Sequence, residues 1–139
     1  KEQALGRCVG GFTSKINAMV DALGNPLKFI LSPGQQHDSK AASDLVENIQ
    51  GSDVLADKAY DDDKFINSIE QKGCRAVIPP RKNRKNPRDY DKDIYKDRHL
   101  IECFFGKIKY FRRIFSRFDK TAQAYMGFLN IVAIDIWLR

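Results

Sequence analysis

Four side chains between residues 95 and 109, Tyr95, Arg98, Glu102 and Lys109, have the types and the spacing for chemistry on a phosphate or a metal. On a helix turning about 100° per residue they fall within an arc of about 100°, one carboxylate set among two cations and a phenol. Leu100, Ile101, Phe104, Ile108, Phe111 and Phe115 cluster on the flank beside that arc. The stretch YKDRHLIECFFGKIK is therefore expected to form one amphipathic helix, with its apolar stripe on a core and the adjoining stripe presenting the carboxylate. Such a stripe can hold a metal and grip phosphates. Arg98 and Glu102, four residues apart, also suit an ordinary surface ion pair worth about 0.3 kcal/mol, and geometry alone leaves both readings open.

The elements that must position this helix follow from periodicity. From Phe12 to Asp21, Ile16, Ala18 and Val20 alternate with Thr13, Lys15, Asn17 and Met19, the pattern of a half-buried strand entered loosely through Gly10 and Gly11. Gly24, Asn25 and Pro26 mark a turn, and Leu27, Phe29 and Leu31 alternate again, so the two runs predict a hairpin ended by Ser32, Pro33 and Gly34. Asp38 or Ser39 is expected to cap a short helix over AASDLVENI. With that capping role at hand and no partner nucleophile in view, neither His37 nor Asp38 is assigned to catalysis.

A short apolar strand, Val54 to Ala56, delivers Asp57 at its carboxyl end, where sites collect in open α/β sheets. A helix from about Asp62 to Gln71 follows. Asp61, Asp62 and Asp63 already supply acids for its entry, which leaves Asp57 surplus as a cap. Gly73 ends the helix, Arg75 to Ile78 form another strand, and Pro79 and Pro80 close it. Residues 81 to 92 read RKNRKNPRDYDK. Such a charge run can be a plain solvated face, yet its guanidinium forks suit phosphate oxygens and it directly precedes the helix that carries Glu102. Arg81, Lys82, Arg84, Lys85 and Arg88 are accordingly expected to contact a DNA backbone, joined by Arg112, Arg113, Arg117 and Lys120 further on. An apolar helix from about Thr121 to Leu138 ends the chain.

The 139 residues suffice for one domain with a modest core, and a formal charge of +6 favours a polyanionic partner, nucleic acid first. Cys8, Cys74 and Cys103 lie far apart, with no CxxC or Cys/His cluster of zinc-ligand spacing, which suits a reducing cytoplasm. The longest apolar run, FLNIVAIDIWL, is broken by Asn130 and Asp135 and is too short to span a bilayer. Phosphate-binding glycine loops, nucleophile elbows and HExxH motifs do not occur. The chain opens on Lys1 rather than Met, and it is expected to be a fragment: processed, trimmed, or only the downstream portion of a longer reading frame.

Tyr, two residues, Arg, three residues, Glu, six residues, Lys resembles the Tyr-Arg-Glu-Lys signature of DDE transposases from bacterial insertion sequences. The words around it, GRCVGGFTSKINAMVDALGNPLKFIL, SPGQQHDS, DVLADKAYD, AVIPPRKNRKNPRDYDKDIYKDRHLIE and FLNIVAIDIWLR, resemble insertion-sequence family five in particular. The likeness runs through essentially the whole chain. It implies an α/β fold, the ribonuclease H-like mixed sheet with flanking helices, its first and central strand absent from this chain. Residues 1 to 139 are then the C-terminal part of a DDE catalytic domain.

By the same resemblance Asp57 and Glu102 are the second and third members of the acidic triad, Asp57 sharing and Glu102 holding one of the two Mg²⁺ (or Mn²⁺) ions expected in the complete site. Arg98 and Lys109 neutralise phosphate, and Tyr95 orients the DNA end or packs beside it. The first Asp belongs to an upstream segment. The implied reaction is cleavage of transposon-end phosphodiesters by water and attack of the freed 3′ hydroxyl on a target. Partners are the transposon ends and target DNA, the upstream transposase segment and further copies in a homo-oligomer, with no membrane. The isolated chain is expected to be inactive. The alternative is a non-catalytic remnant that at most binds DNA.

Overall fold

The strand pair expected from alternation is present, with a third strand beside it. In the computed structural model, which describes residues 6–8, 11–111 and 121–139, β1 (Gly6–Cys8), β2 (Gly11–Val20) and β3 (Pro26–Pro33) form an antiparallel sheet in that order. Of the GlyGly pair read as a loose entry, Gly11 is the first residue of β2 and pairs with Cys8, and Gly10 lies outside the described residues. Between β2 and β3, Asp21 builds the turn: its Oδ1 accepts from the backbone N–H of Leu23 and Asn25, both at 2.9 Å. Gly24 there takes φ +83°, a conformation that costs glycine least. The register slips between Met19 and Val20, which face Lys28 and Pro26, so Leu27 has no partner of its own and is 53% exposed. A bulge of this kind takes its extra residue out of the alternation that Phe29 and Leu31 keep.

Residues Lys1–Gln36 and His99–Arg139 make one compact unit and His37–Arg98 another. In the first, Ile16, Ala18, Val20, Phe29 and Leu31 on one face of the β2–β3 pair pack against two helices, α4 (His99–Ile108) and α5 (Ala122–Trp137). α4 contributes Phe104 and Ile108, and α5 contributes Tyr125, Leu129, Val132 and Ile136, all buried. Phe104 stacks on Phe29 with ring centroids 5.8 Å apart. The N-terminus of α5 is capped by Thr121, whose Oγ1 accepts from Ala124 N at 3.2 Å.

The second unit is a β-α-β arrangement. β4 (Asp53–Leu55) and β5 (Arg75–Val77) pair in parallel, and α2 (Asp63–Gln71) makes the crossover. Phe65, Ile66 and Ile69 of α2 and Ala42 and Val46 at α1 (Asp38–Leu45) meet Cys74 and Ile78 in its core. Gly73, at φ +74°, turns the chain out of α2 into β5. The cap of α1 is neither Asp38 nor Ser39 but His37, whose Nδ1 accepts from Ser39 N at 3.3 Å. An imidazole nitrogen reaches that N–H as a carboxylate would, and Asp38 becomes the first helical residue.

The single helix expected from residue 95 to 109 is broken. α3 (Lys92–Tyr95) is one turn, capped by Asp91 Oδ1 on the N–H groups of Asp93 and Ile94. A 3₁₀ turn follows over Lys96–Arg98, and only then does α4 begin. In a 3₁₀ turn, residues three apart stand one above the other. Arg98 accordingly lies over the Tyr95 ring, its guanidinium carbon 5.7 Å from the centroid, and Tyr95 meets Tyr90 edge to face at 5.5 Å. These contacts replace the even 100° spacing on which the common helix face depended. Lys109 lies one residue past the end of α4.

Candidate active site

Asp57 stands two residues beyond the carboxyl end of β4, as the strand pattern expected. It is not surplus as a cap: its Oδ1 accepts from Ala59 N at 2.8 Å and starts the 3₁₀ turn Lys58–Tyr60. One oxygen is thereby used and the other takes no hydrogen bond among the described residues. Two phenols feel this carboxylate. Burial, then the charges of Asp38 and Asp57, push the Tyr60 hydroxyl up to about 12. Burial also raises Tyr95; Arg98 opposes this, Asp57 and Tyr90 add to it, and the net is upward. Both phenols therefore keep their protons at neutral pH. Asp57, Tyr95 and Arg98 gather in one unit as a carboxylate, a hydrogen-bond donor and a cation.

Glu102 lies in the first turn of α4 in the other unit, on the exposed side, while Phe104 and Ile108 turn inward. Lys109 is exposed as well. As donors, Asp57 and Glu102 suit a hard divalent cation such as Mg²⁺ or Mn²⁺. No group of three His, Cys, Asp or Glu side chains placed to hold an ion occurs among the described residues.

The basic loop is not a uniform row of outward cations. Arg84 Nε donates to Asp61 Oδ2 and its Nη2 to Asp63 Oδ1, both at 2.8 Å. Arg88 also pairs with Asp63. Arg81 donates its backbone N–H to Asp61 Oδ2 at 2.8 Å and its guanidinium to the carbonyls of Ala59 and Lys58 at 2.8 and 3.2 Å. Asp61 is buried, its side chain 2% exposed. Burial pushes its carboxyl up, but the bonds from Arg84 and Arg81 and the charges of Arg84 and Arg88 outweigh this and hold it below the usual range. Lys82 and Lys85 are exposed and make no ion pair or hydrogen bond among the described residues. Arg112, Arg113, Arg117 and Lys120 lie outside the described residues.

The roles of Asp61 and Asp63 were missed because Asp61, Asp62 and Asp63 read together as helix-entry acids. Only Asp62 caps α2, accepting from Phe65 N at 3.0 Å. Three acids where one cap suffices, twenty residues ahead of a run of arginines, was the signal available.

The family model for the transposase DDE domain matches residues 6–134. The chain belongs to that family. A Brucella ovis protein named as a transposase for insertion sequence element IS6501 is 41% identical over 131 residues, which span 91% of this chain and 99% of the relative. A Burkholderia cepacia protein named as a transposase for element IS402 is 25% identical over 130 residues; the match spans 85% of this chain and 59% of that one. No solved structure matches. For a DDE domain the general work is DNA transposition, which makes the chain part of a DNA-cleaving and strand-transferring enzyme family with DNA as its partner. The mixed α/β build of small sheets and helices is consistent with such a domain. No helix among the described residues is long and apolar enough to cross a membrane.

Proposed function

We propose that this DDE domain is the C-terminal part of the catalytic domain of a transposase of insertion-sequence family five type, built on a ribonuclease H-like sheet. It takes part in metal-dependent cleavage of transposon ends and in strand transfer. Asp57 and Glu102 are two of its acidic ligands, and the third carboxylate lies on a strand ahead of the GRCVGG stretch. The observation that carries this reading is the neighbourhood of Asp57: a carboxylate at a strand's end with one oxygen uncommitted, beside a protonated Tyr95 whose ring lies under Arg98.

Two divalent ions, when bound, activate the attacking oxygen and stabilise the leaving one. The chain's own groups do the rest. Tyr95 donates its phenolic proton to a phosphate oxygen and so orients the DNA end. Arg98, held by the ring, sets a guanidinium fork on the same phosphate. Lys109 adds a point charge and Lys82 and Lys85 hold the flanking backbone.

The test is nicking of supercoiled plasmid that carries the insertion element, with Mg²⁺ or Mn²⁺, by the chain alone and with the polypeptide encoded upstream. Metal-dependent nicking in the combined sample, lost in Asp57→Asn and in Glu102→Gln while plasmid binding persists, supports the proposal. Binding without nicking in every combination would leave a DNA-binding chain that cuts nothing.

A further inference from the structure

One peptide unit stands between Asp57 and Arg81 and is held by both. The peptide joining Lys58 to Ala59 gives its N–H to Asp57 Oδ1 at 2.8 Å, and its carbonyl accepts from Arg81 Nε at 3.2 Å. The next carbonyl, that of Ala59, accepts from Arg81 Nη2 at 2.8 Å. A peptide is flat and stiff, so fixing its carbonyl fixes the line along which its N–H points. The guanidinium is flat and stiff as well, and Nε and Nη2 are the paired donors of one edge. Arg81 therefore sets two successive peptides, and the first of them sets the Asp57 carboxylate.

The turn needs this outside hold. Lys58–Tyr60 is a 3₁₀ segment of three residues, closed by Tyr60 N on the Asp57 carbonyl at 3.0 Å and Asp61 N on the Lys58 carbonyl at 3.2 Å. Bonds of that kind have poor geometry, and so short a piece is weak by itself. The Lys58 carbonyl has a second lone pair, and Arg81 takes it. A donor on a carbonyl also polarises the peptide and makes its N–H a stronger donor on the far side. Here the far side is Asp57.

The sequence brings Arg81 to this place. Ile78, just past β5, is buried, and Pro79 and Pro80 follow with restricted φ and no N–H to donate. The first donor after them is the backbone N–H of Arg81, and the buried Asp61 carboxylate accepts it at 2.8 Å. The side chain thus leaves from a fixed point. On its other side Nη2 comes within 3.3 Å of His37 Nε2, at the cap of α1. Arg81 is half-buried, and with this edge of the fork engaged it cannot present the same two donors to a phosphate.

We propose that Arg81 is a positioning residue: it aims the Asp57 carboxylate, one oxygen on Ala59 N and the other toward a divalent ion. The ion rests on the reading of Asp57 as an acidic ligand; the hold on the carboxylate does not. Nuclear magnetic resonance of the isotope-labelled chain tests it. In the unsubstituted chain the Ala59 N–H, bonded to a carboxylate, is expected to lie downfield and exchange slowly with solvent, and the Arg81 Nε–H to exchange slowly too. Arg81→Lys keeps the charge but replaces the fork by a point donor. The Ala59 N–H is then expected to move upfield and to exchange about tenfold faster, the scale of one hydrogen bond lost, and Mn²⁺ to bind more weakly by electron paramagnetic resonance. Arg84→Gln, which loosens the same loop through Asp61 and Asp63, is expected to lower the urea midpoint and leave the Ala59 signal in place.

An Arg81 Nε–H that exchanges freely in the unsubstituted chain, an Ala59 signal unmoved by Arg81→Lys, or one moved as far by Arg84→Gln would overturn the proposal. Mn²⁺ binding kept in Arg81→Lys but weakened in Asp57→Asn would overturn it as well, because the ligand would then need no such hold. If Asp57→Asn binds Mn²⁺ as the parent does while the Ala59 signal still answers to Arg81→Lys, the metal assignment fails and the hold of Arg81 on the carboxylate stands.

Discussion

Arg84 reaches Asp61 at 2.8 Å across twenty-three residues of sequence, and the carboxylate it meets is buried. The pair joins the basic loop to the start of α2, and removing either partner leaves the other with an unmet need. Because Asp61 titrates lower in the folded chain than in the unfolded one, the unfolded chain takes up more protons as acid is added. The stability this cluster contributes is complete above the ordinary carboxylate value of 3.8 and drains as pH falls through the folded value. Asp61→Asn is expected to lower the urea midpoint at pH 7 and to flatten its fall between neutral and acid pH. Urea titrations at a series of pH values check both; an unchanged acid slope would mean that the cluster is not what acid breaks.

The same cluster divides the work of the basic loop. The sequence reading gave all five cations to DNA, but Arg81, Arg84 and Arg88 have protein acceptors and Lys82 and Lys85 have none among the described residues. Each phosphate neutralised contributes about 0.9 to the slope of log affinity against log salt. Replacing Lys82 and Lys85 by Gln should therefore lower that slope by about 2 with folding intact. Replacing Arg84 by Gln should show first in the urea midpoint. Fluorescence anisotropy on labelled duplex DNA over a salt series separates the two; an equal loss of slope from Arg84→Gln would return the arginines to the interface.

Periodicity carried much of this fold and distance little of it. Ile16, Ala18 and Val20 face the core as their alternation required, and β4, α2 and β5 stand where short apolar runs and Gly73 put them. Local signals of this kind are set by the period of the backbone itself. The break at residues 96–98 was hidden because it depends on rings: Tyr90, Tyr95 and Arg98 stack in a way that charge spacing does not reveal. Asp57 was legible from its place at a strand end, but not its hold on Ala59. A cap two residues away and a pairing twenty-three away, from Asp61 to Arg84, both require knowing how the chain turns.

Tyr60 gives an alkaline counterpart to Asp61. Its hydroxyl, with an ordinary value of 10.0, titrates at about 12 in the folded chain because it is buried near two carboxylates. The folded chain thus keeps a proton that the unfolded chain gives up, and stability is lost as pH rises from about 10 through that folded value. Tyr60→Phe, which keeps the ring against Phe65, is expected to reduce this alkaline loss. Thermal midpoints from pH 8 to pH 11 check it, the phenylalanine chain falling less steeply.

Asp57 has two jobs that two substitutions can separate. As the cap of the 3₁₀ turn it needs only an oxygen aimed at Ala59 N, and an asparagine side chain supplies one. As a metal ligand it needs the negative charge. Asp57→Asn is therefore expected to leave the urea midpoint close to that of the parent chain while weakening Mn²⁺ binding, read as the free-ion signal in electron paramagnetic resonance. Asp57→Ala loses the cap too and should cost about 1 kcal/mol of stability in addition. Glu102→Gln keeps the shape of an exposed side chain and should weaken Mn²⁺ binding as well, with stability changed by about 0.5 kcal/mol at most, the usual scale for an exposed helix position. If Asp57→Asn binds Mn²⁺ as the parent does while Asp57→Ala is destabilised, Asp57 is a cap alone, and the acidic ligand must be sought elsewhere in the chain.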